Sequence, residues 1–160
     1  METTVDTAEL RRALGAFATG VTIVTAVDRH SGEPVGFTAN SFTSVSLDPP
    51  LVLVCLAHTA ASYAMFCASE GFAVNVLTTE QEGVARTFAK RGAEKFANVA
   101  WHPGRLGAPL LEGCLARFDC AMHERFAAGD HDVLFGRVVD FACHDGRPLL
   151  YHGGNFAALG

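Results

Sequence analysis

From residue 21 to residue 151 the apolar side chains come in short runs rich in Val, Ile, Thr and Phe, and Gly- or Pro-bearing turns cut each run after strand length. β-Branched and aromatic residues suit a pleated, half-buried surface, so a chain of this kind must build its core from strands. Residues 21–27 are the first such run. His30-Ser31-Gly32-Glu33-Pro34 makes a turn, and a second strand is expected from about Val35 to Asp48-Pro49-Pro50, where prolines cannot continue a ladder. Residues 51–56 are unbroken apolar sequence, expected to be buried on both faces. Residues 72–77, 114–122, 133–141 and 149–151 complete the expected strands.

Helices are few and short. Asp6 and Glu9 stand at capping-box spacing, Leu10, Ala13, Leu14 and Phe17 follow helical period, and Gly20 is expected to close that helix. Residues 58–68 read as a helix with Tyr63, Phe66 and Cys67 on one face. Residues 81–90 read as another, with Val84 and Phe88 turned inward. A loop holding the only tryptophan, Trp101, is expected from 90 to 109. Many short strands with a few helices favour a mainly β barrel over a doubly wound sheet. The 160 residues suit one domain, 1–160.

Several function classes fall away. The formal net charge is −5 and the twelve basic residues are scattered, with Lys90, Arg91 and Lys95 the one loose group. Binding to nucleic acid or to an anionic membrane needs clustered cations, so neither is expected. No apolar run approaches the ~20 residues of a membrane span and the N-terminus is acidic, so a cytoplasmic location is expected. Five cysteines without a Cys-x-x-Cys pair argue against a disulfide framework or zinc cluster, and each reads as a buried small hydrophobe. The seven histidines show no metal-ligand spacing, so no metal is expected. There is no Gly-x-Gly-x-x-Gly, Walker loop, Gly-x-Ser-x-Gly or His-Glu-x-x-His.

One segment is chemically unusual. Gly36-Phe37-Thr38-Ala39-Asn40-Ser41-Phe42-Thr43-Ser44-Val45-Ser46 crowds hydroxyl and amide groups into expected strand. By period alone it is as well explained by a solvated edge as by a ligand site.

Its setting carries a resemblance. Phe17-Ala18-Thr19-Gly20-Val21-Thr22-Ile23-Val24-Thr25 precedes it, and Asp48-Pro49-Pro50-Leu51-Val52 and Phe72-Ala73-Val74-Asn75-Val76-Leu77 follow. Phe88-Ala89, Lys95-Phe96, Gly129-Asp130-His131 and Leu150-Tyr151-His152-Gly153-Gly154-Asn155-Phe156 continue the series. In this order and spacing the motifs resemble the flavin reductase-like family, short-chain reductase components of two-component flavin monooxygenases. The resemblance implies a split β-barrel, a homodimer with flavin near the subunit interface, and hydride transfer from NADH or NADPH to FMN or FAD. It also implies a partner monooxygenase that receives the reduced flavin.

Carried over by motif, Phe37, Thr38, Ala39, Asn40, Ser41, Ser44, Val45, Ser46 and Cys55 would line the flavin ring and ribityl chain. His58, Thr59 and Ser62, at the start of the second helix, would face its phosphate, where helix N–H groups favour an anion. Phe88 and Ala89 would complete that side. His131, beside Gly153 and Gly154 at a barrel rim, would orient the nicotinamide without transferring a proton, together with Tyr151, His152 and Phe156. The sequence departs from the family in one place: Gly153-Gly154-Asn155 stand where an arginine is frequent. An FMN-retaining oxidase or electron carrier, and a flavin-binding protein without reductase activity, are the alternative readings.

Overall fold

The computed structural model describes residues 4–92 and 94–160. Helix α1 (Thr7–Gly15) leads into strands β1 (Thr19–Gly20), β2 (Thr22–Val27), β3 (Pro34–Ala39), β4 (Thr43–Leu47) and β5 (Pro50–Ala57). Helix α2 (Tyr63–Ala68) and strand β6 (Gly71–Val76) come next, then a single 3-10 turn, Thr79–Gln81, that runs into helix α3 (Glu82–Phe88). Strands β7 (Trp101–Pro103), β8 (Pro109–Leu111), β9 (Ala116–Ala128), β10 (His131–Cys143), β11 (Leu150–His152) and β12 (Asn155–Ala157) complete the chain.

Seven strands form one antiparallel sheet in the order β3-β2-β6-β9-β10-β5-β4. Val24 of β2, Ala39 of β3, Val54 of β5, Phe72 of β6, Cys120 of β9 and Leu134 of β10 belong to one buried cluster, with Phe66 of α2. Residues from six strands meet this way only if the sheet curls on itself, and the result is the expected split barrel. A second cluster lies outside it. Val21, Ile23, Leu77, Ala85, Phe88 and Leu111 pack there, so α3 and β8 cover the outer face of β2.

The doubly buried strands are therefore β2 and β6, not the run at 51–56. In β5 only Val52, Val54 and Leu56 are buried, while Leu51, Leu53 and Cys55 alternate with them half-exposed, because among the described residues no helix or strand packs over their side of the sheet. The polar groups of β2 and β6 are satisfied internally, as burial requires. Thr22 Oγ1 donates to Ala39 O (2.8 Å) and Thr25 Oγ1 to Pro109 O (2.6 Å). Asn75 Nδ2 donates to Ile23 O (3.0 Å), and its Oδ1 accepts from Leu111 N (2.9 Å).

Other expectations are corrected. The strand expected from Val35 to Asp48 is two, broken at 40–42, because after Ala39 the chain leaves β2 and turns to pair with β5. The second helix begins at Tyr63 rather than 58, since residues 58–62 form turns. Helix α1 is capped by Asp6, whose carboxylate accepts from Ala8 N (2.9 Å) and Glu9 N (3.3 Å), but it closes at Gly15. Gly20 instead pairs with Leu150. Leu10, Leu14 and Phe17 are exposed, and α1 buries no residue. Val84 is half-buried, while Ala85 and Phe88 anchor α3. The 90–109 stretch, in which Ala93 lies outside the described residues, is not all loop: Trp101 starts β7, which pairs with β8. Among the cysteines only Cys114 and Cys120 are buried, where burial pushes their thiols up to about 11 and about 12. Cys55 and Cys67 are half-buried and Cys143, at the open end of β10, is exposed. No helix among the described residues is long and apolar enough to cross a membrane.

The long β9–β10 hairpin turns at Gly129 (φ +64°) and shifts register between Phe135 and Gly136. A Cβ at Gly136 would stand 2.6 Å from Phe72 Cζ and 2.7 Å from Cys120 Cβ, both in the main core. Gly136→Ala is expected to lower stability by about 1–3 kcal/mol, the usual cost of overpacking. Urea denaturation checks this, and an unchanged midpoint would show that the core yields freely there.

Candidate active site

The break after β3 is a built feature. Ser41 Oγ accepts the Cys55 N–H (2.9 Å), replacing a ladder bond where pairing lapses. Thr38 Oγ1 donates to Ala85 O (2.6 Å), tying β3 to α3. Gly36 leaves room for Phe88, whose ring would stand 3.0 Å from a Cβ there, and Gly36 O accepts from Lys95 Nζ (3.1 Å). These ties join β3, β5, α3 and the segment after α3 around a cavity of about 810 Å³.

Gly36 to Ser41 form one wall of this cavity and Cys55 to Ala57 the next. Ala60, Ala61, Ser62 and Met65 line it as well, together with residues 88–92 and Lys95, and Arg91 Nη2 donates to Thr59 O (2.5 Å). Lys90, Arg91 and Lys95 bring three cations to it, against Glu33 and Glu94. Burial lowers the ammonium pKa of Lys95. A second cavity of about 670 Å³ shares Thr38, Ala39, Asn40, Ala89 and Lys90 with the first. Its remaining walls are Val21, Arg86, Tyr151 and 154–156.

The residues singled out in the sequence divide between these places. Phe37, Ser41, Cys55, Ser62, Phe88 and His131 line the larger cavity, Tyr151 and Phe156 the smaller, and Thr38, Ala39, Asn40 and Ala89 both. Ser44, Val45 and Ser46 line neither; they lie on β4, whose Val45 and Leu47 are 43% and 95% exposed. His152 and Gly153 also line neither. His131 and Gly154, expected side by side, line different cavities, because β10 delivers His131 opposite Ala57 whereas β11 pairs with β1.

His58 and Thr59 line neither cavity: the His58 ring turns to Asp132, and Thr59 meets the site only through its carbonyl, which accepts from Arg91. Asp132, its side chain 4% exposed, accepts from Tyr63 OH at Oδ2 (2.7 Å) and faces His58 Nε2 at Oδ1 (2.8 Å). Arg125 Nε lies 3.5 Å from the same carboxylate. The Tyr63 and His58 contacts hold the Asp132 pKa below its usual range, and the carboxylate pushes the Tyr63 phenol up. On the next residue, His131 Nδ1 lies 2.7 Å from Asp130 Oδ1, which lowers the Asp130 pKa.

Sequence reasoning missed Arg86, Lys90, Arg91 and Lys95 as site residues. The signal was present, since Lys90, Arg91 and Lys95 are the one loose basic group in an acidic chain.

Comparison with known proteins agrees with this architecture. Residues 14–160 match the family described as "Flavin reductase like domain". A "Probable flavin reductase" of Rhizobium meliloti (strain 1021) is 52% identical over 94% of this chain and 48% of its own length. The chain thus spans about half of that relative. The flavin-dependent monooxygenase reductase subunit HsaB of Rhodococcus jostii (strain RHA1) is 42% identical over 97% of this chain and 79% of its own. Among solved structures, the NADH:FAD oxidoreductase SgcE6 of Streptomyces globisporus C-1027, in complex with NAD and FAD fragments, superposes with a TM-score of 0.91. It is 41% identical, with 99% of this chain and 98% of that one covered. The chain belongs to the flavin reductase-like family.

The Asp132 contacts generate an acid-side prediction. A carboxylate with a lowered folded pKa adds stability that is present above its ordinary value near 3.8 and lost as pH falls through the folded value. Asp132→Asn is therefore expected to flatten the fall in thermal midpoint below about pH 4, where wild type loses this contribution. Parallel acid limbs for the two proteins would show that Asp132 holds nothing.

Proposed function

We propose that the chain is a flavin reductase that passes hydride from a reduced nicotinamide to FMN or FAD and releases reduced flavin to a partner monooxygenase. The observation that carries this is the pair of cavities meeting along Thr38 to Asn40, which gives two nucleotides one shared wall. The larger cavity suits a flavin by size and by donor set. Lys90, Arg91 and Lys95 offer cations for its phosphate, and exposed Asn40 stands on the shared wall with no described residue engaging its amide.

When bound, the flavin supplies the hydride acceptor and the nicotinamide the donor. The chain's own residues do the rest. β3 and β5 wall the larger cavity, the Ser41–Cys55 bond braces the break beside it, and Lys95 places positive charge near β3, where it favours an anionic ring. No protein base is required, and His131, paired with Asp130, works on the flavin side as an orienting group. SgcE6 is an NADH:FAD oxidoreductase, which favours NADH and FAD as first choices here. HsaB is the reductase subunit of a monooxygenase, which favours a partner of that class. A pathway supplied by NADH places the protein in the cytoplasm.

A second copy completes the site in this reading. Exposed β4 carries Ser44, Val45, Ser46 and Leu47 at the open edge of the sheet beside the break. A twofold partner seated there would cover Leu47 and return these hydroxyls to a shared flavin site.

Two measurements test the proposal. Purified protein mixed with NADH or NADPH and either flavin is expected to deplete nicotinamide absorbance, and Asn40→Ala to weaken flavin binding by about 1–2 kcal/mol, one polar partner lost. No depletion with any pair would overturn the reductase reading. Sedimentation with flavin present is expected to give twice the 17.0 kDa chain mass, and a monomer mass at micromolar concentration rejects the twofold site.

A further inference from the structure

The smaller cavity differs from the larger in one respect: Arg86 and Lys90 line it and no carboxylate does. Arg86 is held from two sides. Its Nη2 donates to Glu82 Oε1 (2.8 Å) one helical turn earlier, and its guanidinium carbon stands 4.9 Å over the Phe156 ring. Phe156 is itself set edge-on against Tyr151, with ring centroids 5.4 Å apart. The guanidinium is thus fixed by an ion pair and an aromatic platform, two contacts that restrict it before any ligand arrives. Glu82 occupies one N–H, and the other donors of the fork remain for an anion.

The turn between β11 and β12 leaves room for one. Gly154, which lines the cavity, sits at φ +81°, and a Cβ there would meet nothing within 4 Å. Its backbone is open to close approach, whereas the Gly153 N–H is taken by Gly15 O (2.8 Å). The larger cavity already has Arg91 and Lys95 of its own, so Arg86 is not needed for a flavin phosphate there.

We infer that Arg86, braced by Glu82 and Phe156, is the cation that receives the phosphoanhydride of the reduced nicotinamide dinucleotide in the smaller cavity. From that anchor the nicotinamide end reaches the shared wall at Thr38 to Asn40. The inference rests on the reductase reading above and adds to it the residue that fixes the second substrate. Arg86 touches the nucleotide away from the reacting atoms, so its loss acts on binding and not on the hydride step.

The test is Arg86→Gln, with Arg86→Lys as the variant that restores the charge. Arg86 is exposed on α3, so both variants are expected to fold. At saturating flavin, Arg86→Gln is expected to raise the KM for NADH roughly tenfold or more, the worth of a charged hydrogen bond, with kcat nearly unchanged. Calorimetric titration with NAD⁺ is expected to lose affinity in parallel, and Arg86→Lys to recover part of both. Flavin affinity, followed by fluorescence, is expected to stay put. If KM and NAD⁺ affinity are unmoved in Arg86→Gln, or if flavin affinity falls with them, the assignment of Arg86 is wrong while the reductase reading stands. A wild-type protein that binds flavin but neither oxidises NADH nor binds NAD⁺ overturns both.

Discussion

The double burial of β2 is the constraint on which the rest of the molecule depends. A strand covered on one face needs only a barrel core, but β2 also packs Ile23 outward, beside Val21 just ahead of it, and must find a second cover. The chain supplies it with α3 through Ala85 and Phe88, and with β8 through Leu111. Helix α3 consequently lies against β3, where Thr38 ties to Ala85 O. The basic residues that leave α3 are then carried over the edge of the sheet and above the break at 40–42. The site is a by-product of covering one strand twice. Polar groups buried in the process are matched by Thr22, Thr25 and Asn75, so the cover costs no unpaired partner at those positions.

The same accounting changes the meaning of the hydroxyl-rich segment. The Thr38 hydroxyl proton is used by Ala85 O, and Ser41 Oγ is used by the Cys55 N–H. Two groups that look like ring-edge donors on paper are first of all braces of the break. Polarity in this segment serves the architecture where the ladder is interrupted, and what it leaves for a ligand is the Asn40 amide and backbone between the two braces. Removing the Thr38 hydroxyl would take one of two donors from Ala85 O, which also accepts the Ala89 N–H (3.2 Å), and would untie β3 from α3.

Much of the fold was legible because strand signals depend on local composition. The runs at 21–27, 72–77 and 133–141 each became a strand, differing by two residues or fewer at either end. The misreadings were non-local. Nothing within residues 51–56 says that one of their faces is left uncovered, and nothing within 58–62 says that a carboxylate at Asp132 will engage His58 in the turns ahead of a helix that starts only at Tyr63. The site shows the same division. Motif order brought Phe37 to Ser41, Cys55, Ser62 and Phe88 to the larger cavity, whereas the cations required the path of α3. A positive group beside Tyr151 and Phe156 could not be found within 151–156, because it comes from Arg86, distant in sequence and adjacent only in the fold.

His131 and Asp132 show how the two sides of the barrel wall are coupled. Alternation along β10 turns neighbouring side chains to opposite faces. His131 enters the larger cavity, and Asp132, on the other face, gathers Tyr63 and His58. Those two residues bracket 60–62, a segment that lines the same cavity. One carboxylate thus fixes the segment 60–62 to the strand that carries the cavity's histidine, and Arg125 of β9, diagonal to it in the ladder, lies within reach. The strand supplies a functional group on one face and the clamp for that group's surroundings on the other. A change at Asp132 is therefore transmitted to the site through the position of 60–62, without Asp132 ever meeting a ligand.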